Sequence, residues 1–295
     1  MSETVWQRLR RGARRLCQQP DWTDFAGPNW ADHIMTVAVT DRFHAKQGRS
    51  TGRWILRADG RRLAVYLKRH YSLPWWRGWL AALWPNRGWS PAVQEWRHLE
   101  WAGSRGLPVP RALAAAEYIG PWGRLRSFLA VEELPGMLPL SEALPAAARQ
   151  LDGETFRRWK RGLVAEIARL ARALHDQRRF HKDFYLCHFF VPAEFTAGIP
   201  DWKGHLHLID LHRLKRHRRM GLIWQVKDLA QLLYSSEVEG IDARDCLRFW
   251  RFYWGDGRRD WLARLLRSCV RYKALRYRRH NLKKSNKLAA RLLIQ

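Results

Sequence analysis

Two hydrophobic periods share this chain, and their order limits the folds open to it. From about Thr36 to Arg69 the residues alternate and are broken by turns: Trp54-Ile55-Leu56-Arg57, then Asp59-Gly60, then Leu63-Ala64-Val65-Tyr66-Leu67-Lys68. A period of two predicts a β-hairpin or meander. Farther on, Leu163, Ile167, Leu170 and Leu174 fall on one face of an amphipathic helix. A shorter helix is expected over Pro91 to Gly103, where Glu95, Leu99 and Ala102 recur at helical spacing before the stop Gly106-Leu107-Pro108-Val109-Pro110. The apolar run Ser127 to Leu134 predicts a buried strand leading into Pro135-Gly136. Phe189-Phe190-Val191 and Leu206-His207-Leu208-Ile209 predict two short strands around a loop, and the pattern is helical from about Leu222 onward. The expectation is an α+β fold: a β-rich first part of about 130 residues and a helix-rich second part carrying a small β-hairpin.

A chain of 295 residues, 46% hydrophobic, can build one large domain or two packed lobes. Its 54 Lys and Arg against 27 Asp and Glu give a formal charge of +27, which favours anionic partners: nucleotide, nucleic acid or an acidic lipid surface. Cys17, Cys187, Cys246 and Cys269 show neither CxxC pairing nor disulfide-scaffold density, which fits a reducing cytoplasm and argues against thiolate metal binding. At the N-terminus, Arg8, Arg10, Arg11, Arg14 and Arg15 interrupt any signal-peptide core, so export is not expected. Apolar stretches are broken well short of the roughly 20 residues of a spanning helix, so the chain is not expected to cross a bilayer.

Phosphoryl transfer asks for a lysine on the phosphates, an acid to orient it, a base at the acceptor hydroxyl, and oxygen ligands for magnesium. Each has a candidate here, in the order a kinase requires. His181-Lys182-Asp183 follows the amphipathic helix and precedes an apolar strand, and Ile209-Asp210-Leu211 ends the second strand. Before the lysine strand, Lys46-Gln47-Gly48-Arg49-Ser50-Thr51-Gly52 has the glycines and hydroxyls that let amides approach a phosphate, though it also reads as an ordinary hairpin turn.

His181-Lys182-Asp183 resembles the catalytic loop of protein kinases, and Asp210-Leu211-His212 stands where Asp-Phe-Gly would. The wider string Phe180-His181-Lys182-Asp183-Phe184-Tyr185-Leu186-Cys187-His188-Phe189 resembles the lipopolysaccharide core kinase family of Gram-negative bacteria, which contains heptose and Kdo kinases. The likeness spans roughly residues 30 to 260 and is greatest to the heptose kinases.

The resemblance implies a two-lobed protein-kinase-like fold, with residues 1–133 as N-terminal lobe and 134–295 as C-terminal lobe, using ATP and Mg2+. Carried onto matching positions, Lys68 binds the ATP phosphates and Glu95 is its helix-borne partner, with Glu100 on the same helix as the alternative. Asp183 is the base, Asp210 the magnesium ligand, and Asp228, in Trp224-Gln225-Val226-Lys227-Asp228-Leu229, supports the catalytic loop together with His181. Gly48, Ser50 and Gly52 would cover phosphate, and the backbone of Glu132 to Leu134 would meet adenine. One departure is His188, five residues after Asp183, where protein kinases place a metal-binding Asn; imidazole suits hard magnesium poorly, which leaves the metal count open.

The implied acceptor is a lipopolysaccharide core precursor bearing phosphate and Kdo carboxylates at the inner leaflet. Leu73 to Pro85 mixes tryptophan, aliphatics and Arg77, and Arg271 to Gln295 holds nine Lys or Arg and no acid. Both fit an anionic membrane surface, and both also fit an ordinary insertion and a solvated helix. The enzyme would then be cytoplasmic or peripheral on the inner face of the inner membrane. Rival readings are an aminoglycoside-kinase-like enzyme, a pseudokinase, or a basic nucleic-acid-binding protein; the last leaves the ordered set Lys68, Glu95, Asp183, Asp210 and Asp228 unexplained.

Overall fold

The structure is a computed structural model that describes residues 4–39, 48–255 and 261–292. The chain divides into two compact units, Met1–Pro135 and Gly136–Gln295, against the 133/134 boundary expected from sequence.

The first unit runs α1 (Val5–Arg11), β1 (Ala13–Gln18), α2 (Trp22–Ala26), α3 (Trp30–His33), β2 (Arg49–Ala58), β3 (Arg61–His70), α4 (Trp75–Leu83), α5 (Pro91–Ser104), β4 (Ala112–Ile119) and β5 (Leu125–Glu132). Its five strands form an antiparallel sheet in the order β1-β4-β5-β3-β2. The β2–β3 hairpin closes through Asp59 and Gly60, both at positive φ (48° and 71°), the conformation that a two-residue turn needs to match strand twist. Val65 and Leu67 of β3 are fully buried in a core with Trp22, Trp30 and Phe128, where Trp30 meets the Phe128 ring edge-on at 5.5 Å. Because side chains alternate along a strand, Lys68 points to the opposite face from Leu67.

β4 is buried at every position. Its sequence, Ala-Leu-Ala-Ala-Ala-Glu-Tyr-Ile, has poor strand propensity, and burial between neighbouring strands and α5 overrides it. β1 extends the sheet from the arginine-rich N-terminus, its side chains alternating half-buried and exposed.

The second unit runs β6 (Met137–Pro139), α6 (Leu140–Gln150), α7 (Gly153–Asp176), β7 (Arg179–Phe180), β8 (Phe189–Pro192), β9 (His207–Leu208), β10 (Lys215–Arg216), α8 (Gly221–Ser235), α9 (Ala243–Trp254) and α10 (Trp261–Leu292). Asp152 caps α7, its carboxylate accepting the amides of Glu154 and Thr155. The buried stripe of α7 includes Leu163, Ile167, Leu170 and Leu174, as expected from their spacing. β8 pairs with β6 and β9, and β7 pairs with β10. The loop from His181 to His188 joins β7 to β8, so the short strands fix both of its ends. Among the described residues, no helix is long and apolar enough to cross a membrane.

Candidate active site

In the first unit, Lys68 Nζ lies 2.6 Å from Glu95 Oε1, and Glu95 is buried on α5. A buried carboxylate is stable there only with a close cation or donor. Glu100, the alternative partner, instead accepts from Gln19 Nε2 at 3.0 Å.

The start of α5 is anchored by residues that sequence patterns did not single out. Ser90 caps it, with Pro91 in the first turn. Glu117 on β4, only 1% exposed, accepts the amides of Trp89 and Ser90 at 2.7 Å each through one oxygen. Burial raises the Glu117 pKa, and the two amide hydrogen bonds oppose that rise. A lone acid in an alanine-rich strand was the available signal.

The expected phosphate-covering residues need correction. Gly48 is a turn residue at positive φ (63°), but Ser50 and Gly52 lie inside β2 and are buried. The Ser50 hydroxyl is 3.0 Å from Tyr71 Oη and accepts from Arg69 Nε at 3.2 Å, so it is committed to the interior. Lys46 and Gln47 lie outside the described residues. At the end of β5, the Glu132 amide donates to the Arg111 carbonyl at 2.9 Å and so is not free for adenine. The Glu133 amide donates to the Ala64 carbonyl, also at 2.9 Å, and Leu134 follows it, half-buried.

In the second unit, α8 organises the His181–His188 loop. Asp228, fully buried, accepts the His181 amide on Oδ2 and the Lys182 amide on Oδ1, each at 2.8 Å. Consecutive amides can converge on one carboxylate here because Lys182 turns into the left-handed region (φ 70°). Gln231 Oε1 accepts the Phe184 amide at 3.1 Å, and Ser235 Oγ accepts the Leu186 amide at 2.8 Å. The Lys182 carbonyl accepts from Lys227 Nζ (2.6 Å) and Gln231 Nε2 (3.0 Å). Asp228, Gln231 and Ser235 stand at i, i+3 and i+7 on α8, a polar stripe visible in the sequence once the helix is known.

His181 is fully buried, and its Nε2 donates to the Ile209 carbonyl at 3.0 Å. A carbonyl only accepts, so Nε2 carries the proton. Burial holds the ring below the ordinary histidine pKa, hence neutral. This bond ties the catalytic-type loop to the residue before Asp210. Asp210 itself sits in the left-handed region (φ 63°, ψ 52°), which aspartate tolerates better than most residues. Its Oδ1 is 2.8 Å from His212 Nδ1, and its Oδ2 is 4.0 Å from His188 Nε2.

His188 connects the two aspartates. Its Nδ1 donates to the Asp183 carbonyl at 2.6 Å, which leaves Nε2 as the ring nitrogen facing Asp210. The Asp183 carboxylate is largely buried, and both its oxygens accept from Arg213 Nη1, at 2.9 and 3.0 Å. Arg213 was not singled out from the sequence. Among the described residues, no group of three or more His, Cys, Asp or Glu could hold a metal ion. Asp210 offers carboxylate oxygens to a Mg2+ that would take its other ligands from phosphates and water, whereas the His188 imidazole beside it suits that hard cation poorly.

A sheet-borne lysine paired to a helical glutamate, and two aspartates on loops anchored by a helix, define a phosphotransferase of protein-kinase-like fold. The Lipopolysaccharide kinase (Kdo/WaaP) family pattern matches residues 48–253, and the chain belongs to this family. Lipopolysaccharide core heptose(I) kinase WaaP of Pseudomonas aeruginosa is 31% identical over 205 residues, covering 68% of this chain and 74% of that one. The same-named protein of Escherichia coli K12 is 30% identical over 165 residues, covering 56% and 60%. A solved structure, WaaP in complex with acyl carrier protein, matches with TM-score 0.64 and 26% identity over 92% of this chain and 98% of that one. The resemblance drawn from the string around Asp183 is therefore borne out, and with the family come kinase chemistry and the use of ATP.

Proposed function

We propose that this chain transfers the γ-phosphate of ATP to a heptose hydroxyl of the lipopolysaccharide core. The acceptor follows from the relatives named as heptose(I) kinases. The observation that carries the chemistry is His188, which joins the Asp183 backbone on one side and faces Asp210 on the other. In this reading the bond from Pγ to its bridging oxygen breaks and a bond from Pγ to the sugar oxygen forms. Asp183 orients the sugar hydroxyl and accepts its proton. Lys68, kept charged and aimed by Glu95, binds phosphate oxygens. Asp210 would hold a Mg2+, which when bound neutralises charge on the phosphates, with His188 set beside it. The test is Mg2+-dependent transfer of labelled phosphate to core oligosaccharide lacking the heptose phosphate, against the same acceptor with that hydroxyl blocked. Transfer to Kdo alone would replace heptose by Kdo as acceptor.

Two further partners belong to this reading. The first is an anionic membrane surface. Trp75 and Trp122 are 70% and 60% exposed, and Trp6 and Trp84 are also exposed. α1, α4 and the turn at 121–123 pack on one another, which gathers Trp6, Trp75 and Trp122 in one region, and Arg77 lies over the Trp76 ring at 5.2 Å. Indole rings beside guanidinium groups suit a bilayer interface. Sedimentation with anionic and neutral vesicles, comparing wild type with Trp75→Ala/Trp76→Ala, tests this contact. The second partner is the acyl carrier protein of the solved relative. Copurification of acyl carrier protein with the full chain tests it.

A further inference from the structure

Around Asp183 the second unit gathers more positive charge than its own acids can balance. β10 runs antiparallel to β7, with Lys215 opposite Phe180, so the basic segment from Arg213 to Arg216 lies beside His181-Lys182-Asp183. Lys182 places its ammonium 3.9 Å from the centre of the Trp224 ring, and Lys227 lies 5.6 Å from the same ring. The Lys227 ammonium also donates to the Lys182 carbonyl. Two lysines therefore converge on one indole while Arg213 grips the base.

Crowding like charges costs free energy in the folded state. Burial lowers the Lys182 pKa, and Lys215, Lys227 and Arg213 lower it further. Lys227 is lowered by burial and by Arg213 in the same way. Asp183 is one carboxylate, already shared with Arg213, and both Asp228 oxygens are committed to backbone amides. A site of this kind is relieved by an incoming anion.

We propose that Lys182, Arg213, Lys215 and Lys227 form a subsite for an acidic group of the acceptor, a phosphate or a sugar carboxylate, next to Asp183. Arg213 is its positioning residue. It contacts both Asp183 oxygens through Nη1 alone, and its guanidinium is half exposed. An arriving anion engages the remaining guanidinium N–H groups, so a single residue orients the base and senses the acceptor. The inference deepens the acceptor reading above and rests on it for the identity of the sugar.

The test uses the full chain and three probes: acidic core oligosaccharide, the same after phosphatase treatment, and the same after carboxyl reduction. Binding is read by calorimetry for wild type, Lys215→Gln, Arg213→Gln and Arg213→Lys, with KM and kcat measured alongside. Lys215 is exposed, so its substitution leaves folding intact. The expected result is a loss of about tenfold in affinity for the acidic probe in Lys215→Gln and Arg213→Gln. That loss disappears on one of the two neutralised probes, which identifies the acidic group as phosphate or carboxylate. Arg213→Lys restores acceptor affinity in part while kcat stays low, separating anion binding from base positioning. Equal losses on acidic and neutralised probes, or no loss, overturn the subsite. Variants that keep oligosaccharide affinity but lose acyl carrier protein also overturn it, assigning the cations to a protein partner. Wild type that binds the acidic probe through these cations yet transfers no phosphate overturns the kinase acceptor reading and leaves the subsite standing.

Discussion

The Asp228 carboxylate receives the His181 amide at 2.8 Å and is fully buried, so the strand-to-loop junction before Asp183 is set by a residue 47 positions later. Its other oxygen takes the Lys182 amide. Asp228→Asn turns an NH2 toward one of these donors and leaves that amide unpaired, a loss of about 1–3 kcal/mol. The expected outcome is a lower thermal midpoint and a kcat reduced by at least about tenfold. Thermal unfolding together with steady-state kinetics checks it; a drop in kcat no larger than the population unfolded explains would remove the positioning role.

For the pair Lys68 and Glu95, separated by 2.6 Å, single substitutions should not add. Lys68→Met removes the phosphate-facing charge and leaves Glu95 buried without it. Glu95→Gln leaves Lys68 without its orienting charge. Each is expected to lower kcat/KM for ATP by about a hundredfold, and the double variant to lie near the worse single one. Independent, multiplying losses would show that the two side chains act separately.

Much of this arrangement was legible in the sequence, for identifiable reasons. Lys68 could be placed because β3 alternates and Asp59-Gly60 allows a tight hairpin. The amphipathic stripe of α7 fixed where the loop of Asp183 begins. Less legible were features that depend on packing. β4 reads as helix by its alanines, and only burial makes it a strand. β1 hides among arginines because one of its faces is exposed. Ser50 looked available to phosphate because a hydroxyl near glycines gives no sign that Arg69, buried behind it, will claim its oxygen. Arg213, Gln231 and Ser235 act across 30, 47 and 49 residues, distances at which no local pattern speaks.

Gly78 on α4 faces the backbone of Gly123, and a Cβ added there would lie 1.9 Å from the Gly123 carbonyl oxygen. Backbone cannot swing aside as a side chain does, so Gly78→Ala must displace α4 or the turn. The expected loss is about 1–3 kcal/mol, typical of forced overpacking. Vesicle binding should fall with it if the exposed tryptophans need this docking. Chemical denaturation and sedimentation of the same variant check both effects.

Glu117 gives a stability change whose sign with pH can be worked out. Its pKa is raised in the folded state, chiefly by burial, so the protonated form is favoured there. Its contribution is therefore fully present below the ordinary glutamate value of about 4.3 and is lost as pH rises through the raised value. Glu117→Gln removes this titration while keeping an oxygen that accepts the Trp89 and Ser90 amides, both of which use a single Glu117 oxygen. Relative to Glu117→Gln, wild type should lose stability as pH climbs through that window and then run parallel to it. Glu117→Ala removes the acceptor as well and should cost about 1–3 kcal/mol at every pH, loosening the start of the helix that carries Glu95. Denaturant unfolding from pH 4 to 8 on the three proteins decides it. A wild type that gains stability over Glu117→Gln on going from acid to neutral pH would show that the two amides outweigh burial at this carboxylate.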